Sequence, residues 1–316
     1  MRVKDDLTGK NILVTGATGF IGSHLVERLQ NDFSAHLILL SRQEVKPSKN
    51  LTPIQCSLNN LNPGIWAKHG VKQIEFVFHL GGFTPKNIAD RNNLQAVLED
   101  NVVGTYALLQ SLPGSVEKIL FASTLDCYKL PSENPIDESS PIHPASLYGA
   151  SKYFSEFLVR NFAAQHQCPY AILRYGHIYG PGEEAYQRII PLTIKRVLRN
   201  EPLVIHGDGS ALRDFLHVDD AVEATLRAAF SRERRLDPLN IVSGTSISVK
   251  EVVRLIAESA HFLGEISYAA DQAQGDSFRF DNRAMKEQLG SWPLVSLQEG
   301  LKREIEHARG FLRSDR

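Results

Sequence analysis

Residues 11–22 read NILVTGATGFIG, an apolar run of strand length followed by Gly16, Gly19 and Gly22 at three-residue spacing. Glycine allows a tight turn and close backbone approach, and a helix that opens on such a turn presents unpaired N–H groups and the positive end of its dipole. Those are the requirements of a pyrophosphate cradle after the first strand of a βαβ unit. A bare glycine triplet also fits a plain tight turn; the strand before it and the helix after it give it its meaning. Ile21, Leu25 and Leu29 repeat every four residues beyond the turn and predict a helix with one apolar stripe against a sheet. Gly16, Gly19, Phe20, Ile21 and Gly22 are therefore candidate cofactor-binding positions.

Working outward, HLILLS (36–41), EFVFHL (75–80), KILFAS (118–123) and YAILRY (170–175) are further strand-length apolar runs alternating with helical stretches. This rhythm predicts an α/β fold, a Rossmann-type doubly wound parallel sheet. Long helices are expected over about 92–110 and 146–165; in the second, Phe154, Phe157, Leu158 and Phe162 offer more apolar surface than one sheet contact uses. After Tyr175 the texture turns to Gly/Pro-punctuated loops and short helices, a smaller mixed lobe. Within it, 217–230 followed by 238–243 reads as helix then strand. The expected organisation is a dinucleotide-binding domain over 1–176, with about 214–243 returning to it, and a substrate-binding lobe over 177–316.

Composition narrows the function. The 316 residues are 42% hydrophobic and 22% charged, with 35 basic and 36 acidic residues and a net charge of −1, so no basic field draws in nucleic acid or an anionic membrane. Cys56, Cys127 and Cys168 are isolated, and the eleven histidines show no metal-ligand spacing, which argues against disulfides and a metal site. A polar start and the lack of a long uncharged apolar stretch give the expectation of a soluble, cytoplasmic protein without a membrane span.

The second strand ends in Ser41-Arg42, where an NAD-preferring site usually places an acid for the adenosine ribose. A guanidinium instead pairs bidentately with a 2′-phosphate, and Ser41 adds a hydroxyl, so the expectation is NADP(H) in preference to NAD(H). A surface arginine in solvent is the plainer alternative. YGASK places Tyr148 and Lys152 one helical turn apart. The lysine charge favours the tyrosinate and makes the phenol an acid/base, while its ammonium can hold a cofactor ribose.

These segments, with FVFHLGG (76–82), NVVGTYALLQ (101–110), ASTLDCY (122–128), LRYGHIYGPG (173–182), IHGDGSALRDFLHVDDAVEA (205–224) and NRAMKEQLGSWP (282–293), make the chain resemble the extended short-chain dehydrogenase/reductase family of nucleotide-sugar epimerases, dehydratases and 4-keto reductases. The resemblance spans nearly the whole chain. It implies that Tyr148 exchanges a proton with a sugar hydroxyl or ketone, Thr124 hydrogen-bonds the same oxygen, and Lys152 holds the nicotinamide ribose, with Leu80 among the cofactor contacts. It further implies that Arg213 and Arg279 meet the diphosphate of a nucleoside-diphosphate sugar and that the chain forms a homodimer through the two long helices.

Departures bear on the reaction. Where dehydratases carry an acidic pair after the threonine, Leu125 and Asp126 stand here, which weakens elimination and leaves Asp126 as an acid/base candidate. His177 replaces an asparagine near the substrate phosphates, and Ser57 an aspartate beside the adenine. The expectation is a 4-keto sugar reductase using NADPH, with two alternatives: an epimerase or dehydratase on retained NAD, or an inactive NADP(H)-binding sensor or scaffold.

Overall fold

The structure is a computed structural model, and it describes residues 7–129, 135–269 and 276–314. The first half runs β1 (Asn11–Thr15), α1 (Phe20–Asp32), β2 (His36–Ser41), β3 (Leu51–Gln55), α2 (Pro63–Lys68), β4 (Phe76–His79), α3 (Leu94–Ala96), α4 (Gly104–Ser111), β5 (Lys118–Thr124), α5 (Leu147–His166) and β6 (Tyr170–Tyr175). The second half runs β7 (His177–Tyr179), α6 (Ile189–Leu198), β8 (Leu203–His206), β9 (Leu212–His217), α7 (Val218–Phe230), β10 (Arg235–Ile241), β11 (Ser246–Ser248), α8 (Val249–Ala260), β12 (Ile266–Ala269), α9 (Arg283–Leu289) and α10 (Leu297–Ser314).

Seven strands form one parallel sheet in the order β10-β6-β5-β4-β1-β2-β3. The predicted doubly wound sheet is present, and α7 leads into β10, which pairs with β6. Because alternate side chains of each strand leave opposite faces, the sheet carries two cores. Ile12, Val14, Leu37 and Leu39 pack with Leu25 and Leu29 of α1 and with α7; Leu13, Ile38, Leu40 and Val77 pack with Trp66, Leu108, Val159 and Phe162. Ile21, first of the predicted stripe, is only half-buried and packs at the edge of the first core. A third core joins α6, α8 and α10 through Ile194, Ile256 and Leu301. The remaining strands make a three-stranded sheet, β11-β9-β7, and a two-stranded one, β12-β8.

Two elements depart from the sequence reading. Strand β3, LTPIQ, carries Pro53 and lacks a clear apolar signal; it survives because it is the sheet edge, where a missing N–H breaks no second ladder. The helix expected over 92–110 is interrupted by a π-helical turn, Val97–Val103, between α3 and α4. Strand order reverses between β1 and β4, so the crevice past their C-terminal ends is where such a sheet receives ligands.

Candidate active site

The glycine turn fills one wall of that crevice. Gly16 sits at φ +68°, and a Cβ there would lie 2.7 Å from the Gly81 nitrogen; a Cβ on Gly22 would lie 2.0 Å from the Gly16 carbonyl oxygen. The turn is thus pressed between the Leu80–Gly81 backbone past β4 and the first turn of α1, with no room for side chains. Gly19 caps α1 without a side-chain bond, so the first-turn amides of Phe20, Ile21 and Gly22 have no partner within the helix. This cradle of backbone donors, closed to a Cβ, fits a dinucleotide pyrophosphate.

At the end of β2, Ser41 is buried, shares a hydrogen bond with the Thr18 hydroxyl at 3.1 Å and accepts one from the Gln43 amide at 3.0 Å. Arg42 points outward, 71% exposed, and its Nη1 donates to Asp100 at 3.2 Å. The Asp100 contact was not foreseen: it arises in the π-helical turn, a position that strand and helix periodicity do not reveal.

Thr124 ends β5, Tyr148 lies in the first turn of α5, and Lys152 follows one turn later. The Thr124 and Thr84 hydroxyls lie beside the Tyr148 phenol. Burial and the Asp126 carboxylate push it up to about 12, against Arg188 and the two hydroxyls. The lowering expected from Lys152 is not seen: desolvation of the phenol is the largest influence, and the cation that acts against it is Arg188. Lys152 is buried, its Nζ 4.2 Å from the centre of the Phe121 ring. Desolvation brings the ammonium down to about 7, partly opposed by Glu156.

Asp126 follows within a short 3₁₀ turn; its amide donates to the Thr124 hydroxyl at 3.3 Å and its carboxylate is held by Arg91. The Thr124 hydroxyl thus caps its own backbone as well as facing Tyr148. His177 opens β7, with Nδ1 buried and unpartnered; burial, then Arg188, brings it down to about 4, so the imidazole is neutral at ordinary pH. Arg188, Asp126, Arg213 and Arg91 all act on it electrostatically, and Arg188 and Asp126 act on Tyr148 as well. Arg213 stacks on Phe278 at 4.7 Å and donates from Nη1 to the Leu212 and Asp276 carbonyls. Arg279 is exposed on the neighbouring segment, its carbonyl accepting from the Ile136 amide.

Several site residues were missed in the sequence. Arg188 stands just before α6 in a loop with no local pattern, Thr84 lies in irregular backbone after β4, and Arg91 lies in a short 3₁₀ turn, Ala89–Asn92, that follows it. Asn101 had a usable signal, since it opens the NVVGT stretch. It is buried in the π-helical turn, accepts from the Phe83 amide at 2.7 Å and donates to Ser151 at 2.9 Å, while Ser155 donates to its carbonyl at 2.7 Å. It thereby ties the segment bearing Thr84 to the helix bearing Tyr148, and π-turns often mark such places.

The sequence model of the NAD dependent epimerase/dehydratase family matches residues 12–241, which contain both the glycine turn and the Thr124, Tyr148 and Lys152 cluster. The chain belongs to that family. As a member of the epimerase/dehydratase family, it is 33% identical over 305 residues to a putative UDP-glucose 4-epimerase of Methanocaldococcus jannaschii, covering 93% of this chain and 97% of that one. It is 30% identical to human dTDP-D-glucose 4,6-dehydratase, covering 95% and 90%. Among solved structures, UDP-glucose 4-epimerase of Thermotoga maritima with UDP-glucose superposes with a TM-score of 0.84 at 32% identity, covering 96% of this chain and 99% of that one. MoeE5 in complex with UDP-glucose and NAD gives 0.82 at 34% identity, covering 96% and 99%. Among the described residues no helix is long and apolar enough to cross a membrane.

Proposed function

We propose that this epimerase/dehydratase family member moves a hydride at C4 of a nucleoside-diphosphate sugar. The observation that carries the reading is the convergence of the Thr124 hydroxyl, the Tyr148 phenol and the buried Lys152 ammonium beside a cradle that admits a pyrophosphate. A nicotinamide dinucleotide would supply the hydride donor or acceptor. The glycine-turn amides would hold its pyrophosphate, Ser41 and Arg42 its adenosine ribose and Lys152 its second ribose, with Leu80 among the remaining contacts. The sheet domain, 1–176 with 214–243, takes the cofactor in this reading and the remainder of 177–316 the substrate.

In the reducing direction Tyr148 gives its phenolic proton to the sugar carbonyl oxygen as hydride reaches the carbon, and the tyrosinate regains a proton from solvent. Thr124 donates to the same oxygen. In the oxidising direction the proton returns by the same path. His177, Arg188 and Arg213 meet the diphosphate, with Arg279 beside them. Asp126, already paired to Arg91, is a poorer general acid for water elimination than a free carboxyl, which argues against dehydration.

Two reactions use this machinery. Ser41 and Arg42 support reduction of a 4-keto sugar by NADPH; the UDP-glucose 4-epimerases among the relatives support epimerisation on a retained NAD. Retention of the whole proton-transfer cluster argues against an inactive sensor. The mass of the dinucleotide that co-purifies, followed by a screen of UDP- and dTDP-sugars, separates the two: stoichiometric NAD with no NADPH consumption establishes the epimerase. For the cofactor, Arg42→Ala is expected to lose tenfold or more in NADPH affinity with NADH unaffected, and equal loss of both sinks the NADP(H) reading. The side chain is largely exposed and its ion pair contributes at most about 1 kcal/mol, so the fold is not at stake.

The chain is further proposed to work as a homodimer in a reducing cytoplasm. Exposed apolar side chains on α5 and on the π-helical turn and α4 support the first, and three unpaired cysteines support the second.

A further inference from the structure

One turn beyond Lys152 on α5 stands Glu156, a carboxylate with none of its side chain exposed. Isolated burial of that charge would cost several kcal/mol; here it is surrounded by donors from three elements. Ser123 Oγ donates to Oε1 at 2.5 Å, Arg174 donates from Nε to Oε1 and from Nη2 to Oε2, both at 2.8 Å, and Arg160 donates from Nη2 to Oε2 at 3.1 Å. Ser123 and Arg174 are register partners in β5 and β6, and Ser123 is the chain neighbour of Thr124. Arg160 is in turn held by Asp237 of β10.

The geometry has two consequences. A bidentate pair fixes direction as well as distance, so the carboxylate sets how far α5 slides along β5 and β6. That slide decides whether the Tyr148 phenol meets Thr124, since one residue hangs on the helix and the other on the strand end. The second consequence is electrostatic. The charged or titratable groups facing Lys152 are His79 on β4, buried between Thr15 and Thr105 and brought down to about 3 by burial and by Lys152 itself, and two groups on its own helix, Glu156 one turn on and Tyr148 one turn back, the latter kept a neutral phenol by burial. Phe121 of β5 contributes only its ring face. Neutral His79 gives the ammonium no support, which leaves Glu156 as its counter-charge. Arg174, Arg160 and Cys127 face Glu156 in turn, and the thiol is held in its neutral form by burial.

We propose that Glu156 is a positioning residue for the reaction: it locks the helix bearing Tyr148 and Lys152 to the strand bearing Thr124, and it keeps Lys152 charged in a buried site. This rests on the proton-transfer reading of Tyr148 and Lys152 above.

The test follows the Lys152 ammonium directly by 13C NMR of protein labelled at lysine Cε, with its resonance assigned through loss in Lys152→Met. In the wild type it should titrate near 7. In Glu156→Gln the midpoint should fall by about one pH unit or more, a tenfold change in the proton equilibrium. Because Glu156→Gln strands the buried Arg174 guanidinium and can fail to fold, the double variant Glu156→Leu/Arg174→Met, which removes charge from both sides of the pair, is measured alongside. It should show the same downward shift with a native thermal transition.

In turnover of the nucleotide sugar identified above, kcat in either variant should fall tenfold or more at pH 8 and less at pH 6, with KM little changed. An unmoved Lys152 titration, or a kcat loss of equal size at every pH, overturns the proposal. The titration needs no substrate, so a protein that turns over no nucleotide sugar yet shows the shift defeats the functional reading and leaves this one standing in its electrostatic half.

Discussion

Gly22 shows how tightly single atoms are specified. A methyl group there would sit 2.0 Å from the Gly16 carbonyl oxygen, a backbone atom that cannot swing aside as a side chain would. Gly22→Ala must push α1 away from the turn, and overpacking of this kind costs about 1–3 kcal/mol. The expected result is a lower Tm together with loss of dinucleotide binding by calorimetry; unchanged affinity would mean that the turn does not hold the cofactor. At this scale the sequence was highly informative. As candidates, Gly16, Gly19, Gly22, Tyr148 and Lys152 were legible because each belongs to a short motif whose spacing has a physical meaning, whereas Thr124 stood out only through the family resemblance. Arg188, Thr84, Arg91 and Glu156 were not singled out, since each owes its place to a partner distant in sequence, from 18 residues away for Glu156 and Arg174 upward.

At the scale of elements, α5 serves two surfaces. One face buries Lys152, Ser155, Glu156, Val159 and Phe162 against the sheet. The other leaves Phe154 50% and Phe157 62% exposed, and the neighbouring π-helical turn and α4 expose Leu98, Val103 and Tyr106. These are the side chains that the proposed homodimer would bury. Replacing both phenylalanines, Phe154→Glu and Phe157→Glu, should convert a dimer to a monomer in sedimentation at micromolar concentration while leaving the far-UV circular dichroism intact. A wild-type chain that already sediments as a monomer would refute the homodimer. The aromatic surplus was visible in the sequence; the π-helical turn beside it was not, because an inserted residue leaves the composition of a helix unchanged.

At the scale of the whole molecule, α10 closes over the loop that carries Arg188 through two buried carboxyls, Glu183 and Glu304, which face each other within hydrogen-bonding reach. Burial raises both, Glu183 to about 7 and Glu304 further still, with their mutual repulsion adding to Glu304. Tyr179 Oη and His217 Nε2, also buried, stand unpartnered nearby and cannot supply a counter-charge. A carboxyl raised on folding binds its proton more tightly in the native state, so its contribution is complete below about pH 4 and is lost as pH climbs through the folded value. Lys152 and Lys118, both lowered by burial, act in the opposite sense over the alkaline range, which makes a difference measurement necessary. Glu304→Gln keeps a neutral hydrogen-bonding side chain and removes one titration. Its Tm relative to the wild type should therefore rise steadily from pH 5 to pH 9; parallel Tm curves would show that the pair is not protonated in the native state.

The sequence by itself determined the parallel sheet, the glycine turn and the placing of Tyr148 and Lys152 on one helical face, because apolar periodicity, glycine sterics and helical spacing act over a few residues and leave their mark in the order of the chain. Only the tertiary structure decided that Arg42 meets Asp100, that Arg188 faces Tyr148, and that Glu156 and Arg174 lock helix to strand. Those contacts depend on how far elements distant in sequence slide past one another, and their strength on how much water the packing removes, neither of which a local pattern encodes.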